Sequence, residues 1–169
     1  MNYYISDTHF NHKNIIDMCG RPFCNADEMN EAIIANWNCV VREDDDVYFL
    51  GDFARSNAEH FLNRLNGKKH LVIGNHDSKM LKNIDVQKYF DSVDIYLKIK
   101  DGDYDVVLFH YPICEWDGFF RGTIHLYGHV HNAENERTEF MNNQKNCYNV
   151  SADVSSFIPR TLKQIIGSK

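Results

Sequence analysis

The sequence predicts an α/β fold, and three observations carry that expectation. Short apolar runs alternate with helix-period stretches through the first half of the chain. Several of those runs stop abruptly at Gly or Asp, as strands do when they feed a loop. The second half is richer in strands, with Asp101-Gly102 between two alternating runs as a hairpin signal.

Asn2 to Ser6 is the first expected strand, with Asp7-Thr8-His9 as its polar exit. Ile15 to Met18 makes a short helical turn that Gly20-Arg21-Pro22 breaks. Asn25, followed by Glu28, has the capping-box pattern for a helix from about Ala26 to Cys39, and its Met29, Ala32, Ile33, Trp37 and Val40 recur at helical spacing. The acidic run from Glu43 to Asp46 reads as a solvated turn. Val47 to Leu50 is the second strand and ends in Gly51-Asp52; Ser56 or Asn57 then caps a helix that turns Phe61, Leu62 and Leu65 inward until Asn66-Gly67 ends it. The third strand, Leu71 to Ile73, runs into Gly74-Asn75-His76-Asp77, where Gly74 permits a sharp turn and close backbone approach. This βαβ rhythm places ligand-binding residues at the carboxyl ends of neighbouring strands. Beyond it come a short helix near Lys79 to Asn83 and strands at Val93 to Ile99, Tyr104 to Phe109, Thr123 to Tyr127 and Asn146 to Val150. A closing helix, Arg160 to Ile166, is opened by Pro159. The second half is expected to be more antiparallel than the first.

At 169 residues the expectation is one domain over 1–169, and a hydrophobic content of 43% marks an ordinary globular chain. No apolar run approaches the length needed to span a membrane. The first strand starts near Asn2, which leaves no room upstream for a leader, and the five cysteines are odd in number, widely spaced and without a CxxC pair. The reading is therefore a cytoplasmic protein with reduced thiols packed mostly as small hydrophobes. A formal charge of −6 disfavours a duplex-DNA reader but leaves a phosphate substrate open, because bound divalent cations make a site locally positive. No membrane partner is expected; oligomeric state stays open.

Five strand ends deliver the chemistry: Asp7-Thr8-His9, Gly51-Asp52, Gly74-Asn75-His76-Asp77, His110, and Gly128-His129-Val130-His131. Asp7, His9, Asp52, Asn75, His110, His129 and His131 supply nitrogen and oxygen donors without a thiolate, which suits divalent manganese, iron or zinc rather than a cysteine-closed structural zinc. Seven donors exceed one ion's needs. Two ions with a shared carboxylate would use all of them, and such pairs clamp phosphoryl groups.

In content and order these five motifs resemble the signature of the calcineurin-like metallophosphoesterases, and the chain is most similar to their small bacterial and phage-type members. The resemblance implies two mixed β-sheets packed face to face and flanked by helices. It implies a metal-dependent hydrolase of phosphate esters, mono- or diesters, with two divalent ions, manganese foremost and iron, zinc or nickel as alternatives. Asp7, His9 and His131 would hold the first ion, Asn75, His110 and His129 the second, and Asp52 would bridge them. His76 would face the scissile phosphate, steadying charge or protonating the leaving oxygen, while a bridging hydroxide attacks. Where many members have an acidic residue three positions after the bridging aspartate, this chain has Arg55, so His76 lacks its usual orienting partner. Arg55 would instead grip a substrate phosphate, or be a solvated arginine at a helix start. His12 and Asn14 lie a few residues past the first metal loop and either reach substrate or hydrogen-bond at the surface. His60 and His70 fall outside the site, His125 reads as structural, and Glu115 to Arg121 is either a loop over the pocket or one packed on its own domain. The competing functions are a non-catalytic binding scaffold on the same fold and a single-strand nuclease, which needs a basic groove; Lys68, Lys69, Lys79 and Lys82 read as ordinary solvated surface.

Overall fold

The structure, a computed structural model, describes residues Met1–Ser168. The first sheet follows the βαβ rhythm. β1 (Asn2–Ile5), β2 (Asp46–Phe49), β3 (Lys68–Val72) and β4 (Ser92–Asp94) run parallel, and β9 (Arg160–Thr161) adds antiparallel to β1, in the order β4-β3-β2-β1-β9. Its connections are helical: α1 (Lys13–Cys19), α2 (Ala26–Val40), α3 (Ala58–Leu62), and after β3 the short α4 (Ser78–Asn83) and α5 (Val86–Tyr89). The second sheet holds β5 (Tyr96–Asp101), β6 (Tyr104–Phe109), β7 (Ile124–Tyr127) and β8 (Cys147–Asn149) in sequence order. α6 (Glu136–Asn143) and α7 (Leu162–Ile166) complete the chain.

Three buried clusters explain the layering. Met29, Ile33 and Trp37 of α2 pack with Ile5, Val47, Phe49 and Leu71 under one face of the first sheet. Tyr4, Leu50 and Val72 of its other face meet Val106, Leu108, Ile124 and Leu126 of the second sheet. Val107, Tyr127 and Cys147 on the far face of the second sheet are covered by Trp116 and by Met141 of α6. The two mixed, face-to-face sheets with flanking helices are thus present.

Several elements depart from expectation. The strand predicted over Val93 to Ile99 is split: β4 pairs with β3 in the first sheet, Ile95 carries the chain across, and β5 opens the second sheet. The hairpin signal holds, since Asp101 pairs with Tyr104 across Gly102-Asp103. The second sheet is not predominantly antiparallel: β5–β6 is, while β6–β7 and β7–β8 run parallel. Pro159 precedes the two-residue β9 instead of opening the last helix, which Thr161 caps by exchanging bonds with Gln164. At the start of α2, Asn25 accepts from the Glu28 amide as expected, but the Glu28 carboxylate takes the Cys24 amide. The expectation that the cysteines pack mostly as small hydrophobes is not met: Cys147 is buried and Cys19 half-buried, but Cys24, Cys39 and Cys114 are exposed.

Candidate metal centre

β1, β2, β3, β6 and β7 end at the same edge of the paired sheets, and this brings the seven predicted donors together. Close backbone approach makes it possible. A Cβ on Gly74 would strike the Asp52 carboxylate and amide, one on Gly51 would strike the Gly74 backbone, and one on Gly128 would strike Ser6 and Asp7. Asp7, His9, Asp52, His129 and His131 are all held in the left-handed region, with φ between 49° and 70°. Each such residue costs roughly 1–3 kcal/mol, strain that gathers at functional sites.

The carboxylates are each fixed through one oxygen. Asp7 Oδ2 accepts from Ser6 Oγ (2.6 Å), Ser151 Oγ (2.9 Å) and the His129 amide (2.9 Å). Its Oδ1, wholly buried, has no partner and lies 3.9 Å from His131 Nε2. Asp52 Oδ1 accepts the His76 amide at 2.8 Å, which leaves Oδ2 at 3.6 Å from both His9 Nε2 and His110 Nε2. Asp52 therefore stands between the two halves of the cluster.

The imidazoles are oriented from behind. His110 Nδ1 donates to the Leu50 carbonyl at 2.7 Å, so its Nε2 turns a lone pair toward Asn75 Oδ1, 3.0 Å away. His129 Nδ1 is also 3.0 Å from that oxygen. His131 Nδ1 donates to Asp153 Oδ2 at 2.8 Å. His9 Nε2 is buried and unpartnered. Burial, reinforced by His131 and Arg21, pushes the His9 pKa down to about 2. Burial also raises the Asp52 carboxyl, with His110 opposing. Although burial works against a charged His131, its bonds to Asp153 and Cys19 carry its pKa up to about 10. Buried donor atoms without a hydrogen-bond partner fit a cation, and among the described residues Asp7 Oδ1 and His9 Nε2 are such atoms. Asp7, His9 and His131 form one group close enough to share an ion; Asp7, Asp52 and His110 form another.

The remaining predicted residues surround this cluster. His76 is exposed at its mouth, its ring 5.6 Å from that of His9, and among the described residues that ring makes no hydrogen bond. His12 caps α1 by accepting the Ile15 amide on Nδ1, with its ring 5.5 Å from His9. Burial, then the Arg55 charge, lowers the His12 pKa. Arg55 lines a cavity of about 340 Å³ together with Lys79 and Asn83. His60 and His70 lie outside the cluster, on α3 and β3. His125 is buried, as a structural residue should be. The Glu115 to Arg121 loop packs on its own sheets: Trp116 Nε1 donates to the Thr123 carbonyl and Lys98 pairs with Asp117.

Sequence reasoning missed the supports. Asp77, wholly buried, accepts the amides of Asp52, Phe53 and Gly74 at 2.8–2.9 Å and so ties two donor loops together. Arg21 forms a two-pronged pair with Asp153 (2.8 and 2.9 Å) and donates to the Asp7 and Thr8 carbonyls. A signal for Asp153 exists: Val150-Ser151-Ala152-Asp153 repeats the strand–serine–acid pattern of Ile5-Ser6-Asp7.

No protein-family model matches the chain. The protein is 39% identical to the uncharacterized protein MJ1445 of Methanocaldococcus jannaschii, over 97% of this chain and 88% of that one. It is 28% identical to the gene 66 protein of Mycobacterium phage L5, over 76% of each chain. The crystal structure of AQ665 from Aquifex aeolicus, a protein of unknown function, superposes with a TM-score of 0.78 and 27% identity over 97% of this chain and 96% of that one. With 39% identity along nearly all of its length, the chain belongs to one family with MJ1445, and the five motifs through which it resembles the calcineurin-like metallophosphoesterases gather at one edge of its two-sheet fold.

Proposed function

We propose that the protein is a metal-dependent hydrolase of phosphate esters with a dinuclear centre. The observation that carries this is the convergence of seven oxygen and nitrogen donors, two of which, Asp7 Oδ1 and His9 Nε2, are buried without a hydrogen-bond partner among the described residues. Asp7, His9 and His131 would hold one divalent ion and Asn75, His110 and His129 the other. Asp52 Oδ2, equidistant from His9 and His110, would serve both. The chemistry such ions supply is Lewis acidity, which lowers the pKa of a coordinated water toward ~7 and neutralises phosphoryl charge. Manganese is the first expectation, because the donors are imidazole, carboxylate and amide without thiolate.

The chain's own groups do the rest. Leu50 and Asp153 fix the rings of His110 and His131, so the donors meet a phosphate already aligned. His76 stands at the mouth with an unengaged ring and would deliver a proton to the departing ester oxygen. Its backbone amide is anchored on Asp52, while its ring is left without a hydrogen bond among the described residues. His12, beside His9, and Arg55, whose charge is felt at His12, would hold the non-reacting oxygens.

Hydrolysis of bis-nitrophenyl phosphate and of the corresponding monoester, with manganese and then with chelator, tests the assignment. We expect turnover that chelation abolishes. His76→Ala should lower kcat by about 10²–10⁴-fold while bound manganese is unchanged. Absence of metal-dependent turnover toward either ester would leave a scaffold on this fold.

A further inference from the structure

Beside the metal cluster lies a cavity of about 450 Å³ that shares His129 with it, walled by Tyr111, Pro112, Val130, Arg137 and Met141. That volume is in the range of small-ligand sites. The cavity has no acidic side chain in its lining, although the chain carries 24 aspartates and glutamates; the neighbouring cavity that touches His131 is lined by Glu134, and the one at Arg55 by Glu59. Tyr111 is 36% exposed. Its ring is nonetheless held, edge-on against His129 at 4.6 Å and against His110 at 4.9 Å, with Phe109 behind it at 5.6 Å. Phe109 is in turn the cross-strand partner of Tyr96, so the platform is rooted in the β5–β6 hairpin. Across the cavity Arg137 is exposed and, among the described residues, pairs with no carboxylate.

We propose that this cavity is the subsite for the organic arm of the ester and that the arm is a nucleobase, making the substrate a nucleotide-type phosphate ester. The inference rests on the phosphoesterase reading and adds the substrate class to it. A fixed aromatic ring with solvent at its surface is a stacking platform that has no ordering left to do when a planar ligand arrives. The Arg137 guanidinium presents donors to the ring nitrogens and carbonyls at the edge of a base. Because His129 is common to cluster and cavity, a base on Tyr111 and a phosphate at the donors would adjoin the same residue.

Two ligands of similar charge that differ in the base decide it: adenosine 5′-monophosphate and ribose 5-phosphate, titrated calorimetrically into the manganese-loaded protein. We expect the nucleotide to bind at least about tenfold more tightly, in line with one stacked base. Tyr111→Leu should close that gap and Tyr111→Phe should preserve it. Equal affinities for the two ligands in the unaltered protein, or a gap that survives in Tyr111→Leu, would overturn the subsite while leaving phosphate binding intact. If neither ligand bound, the phosphoesterase reading would fall and this inference with it.

Discussion

Asp153 shows how much a single buried carboxylate organises. It takes two bonds from the buried Arg21 guanidinium and orients His131, while Arg21 reaches on to the carbonyls of the Asp7 loop. Asp153→Asn keeps the shape but leaves Arg21 without a counter-charge. We expect a loss of roughly 3–5 kcal/mol in stability and a 10–100-fold drop in metal affinity, read by urea unfolding and by manganese titration. His125 is a second buried group with a measurable consequence, set apart from the metal donors. Burial holds its pKa down to about 4, and its Nε2 has no partner. The unfolded chain, with an ordinary histidine near 6.5, takes up the proton first, so stability is untouched above about pH 6.5 and falls as pH drops toward 4. His125→Phe, which fills the same space beside Trp116 and Tyr127, should show a shallower loss of urea midpoint between pH 6.5 and 4.5 than the unaltered chain. At this scale the donors were legible because each ends a strand in a recognisable short motif. Asp153 and Arg21 were not, since they act through bonds between residues 132 positions apart.

Among the elements, the tight turns are where sequence and site are most closely bound. Gly74→Ala would drive a methyl group into the Asp52 carboxylate and its amide. The β2 and β3 exits must then separate, and we expect manganese binding to be lost together with about 2 kcal/mol or more of stability. Gly102→Ala in the β5–β6 turn makes the contrast. It has a left-handed φ of +59° but nothing within 4 Å, so its effect should stay near 1 kcal/mol with metal binding unaltered. Parallel measurement of thermal midpoint and bound manganese in the two variants checks both statements. The helix α2 was legible from its cap and its stripe. α6 escaped notice because only Thr138 and Met141 of its eight residues are buried, which leaves no periodic apolar face. The division of Val93 to Ile99 between two sheets escaped for a different reason: an alternating pattern records which face is buried but not against which sheet. β9, at two residues, spans a single strand period and so shows no repeat.

For the molecule as a whole, unmatched lone pairs and left-handed donors are features a cation relieves. Saturating manganese, at about 100 times its dissociation constant, should add about 2.7 kcal/mol to stability and raise the melting temperature by roughly 5–10 °C, with chelator reversing it. An unchanged melting curve would remove the metal site. The global fold was readable as far as its parallel first half; the parallel pairs of the second sheet were not, because crossover connections such as the segment containing Trp116 have little regular structure to announce them. Asp7, His9, Asp52 and Asn75 belong to the first sheet's exits, whereas His110, His129 and His131 belong to the second's. An ion seated among them is therefore a rivet through two separately formed plates. Its dissociation rate reports how often those plates part, and an unfolding force applied between β4 and β5, where the chain steps from one to the other at Ile95, would have to shear that rivet before the interface could open.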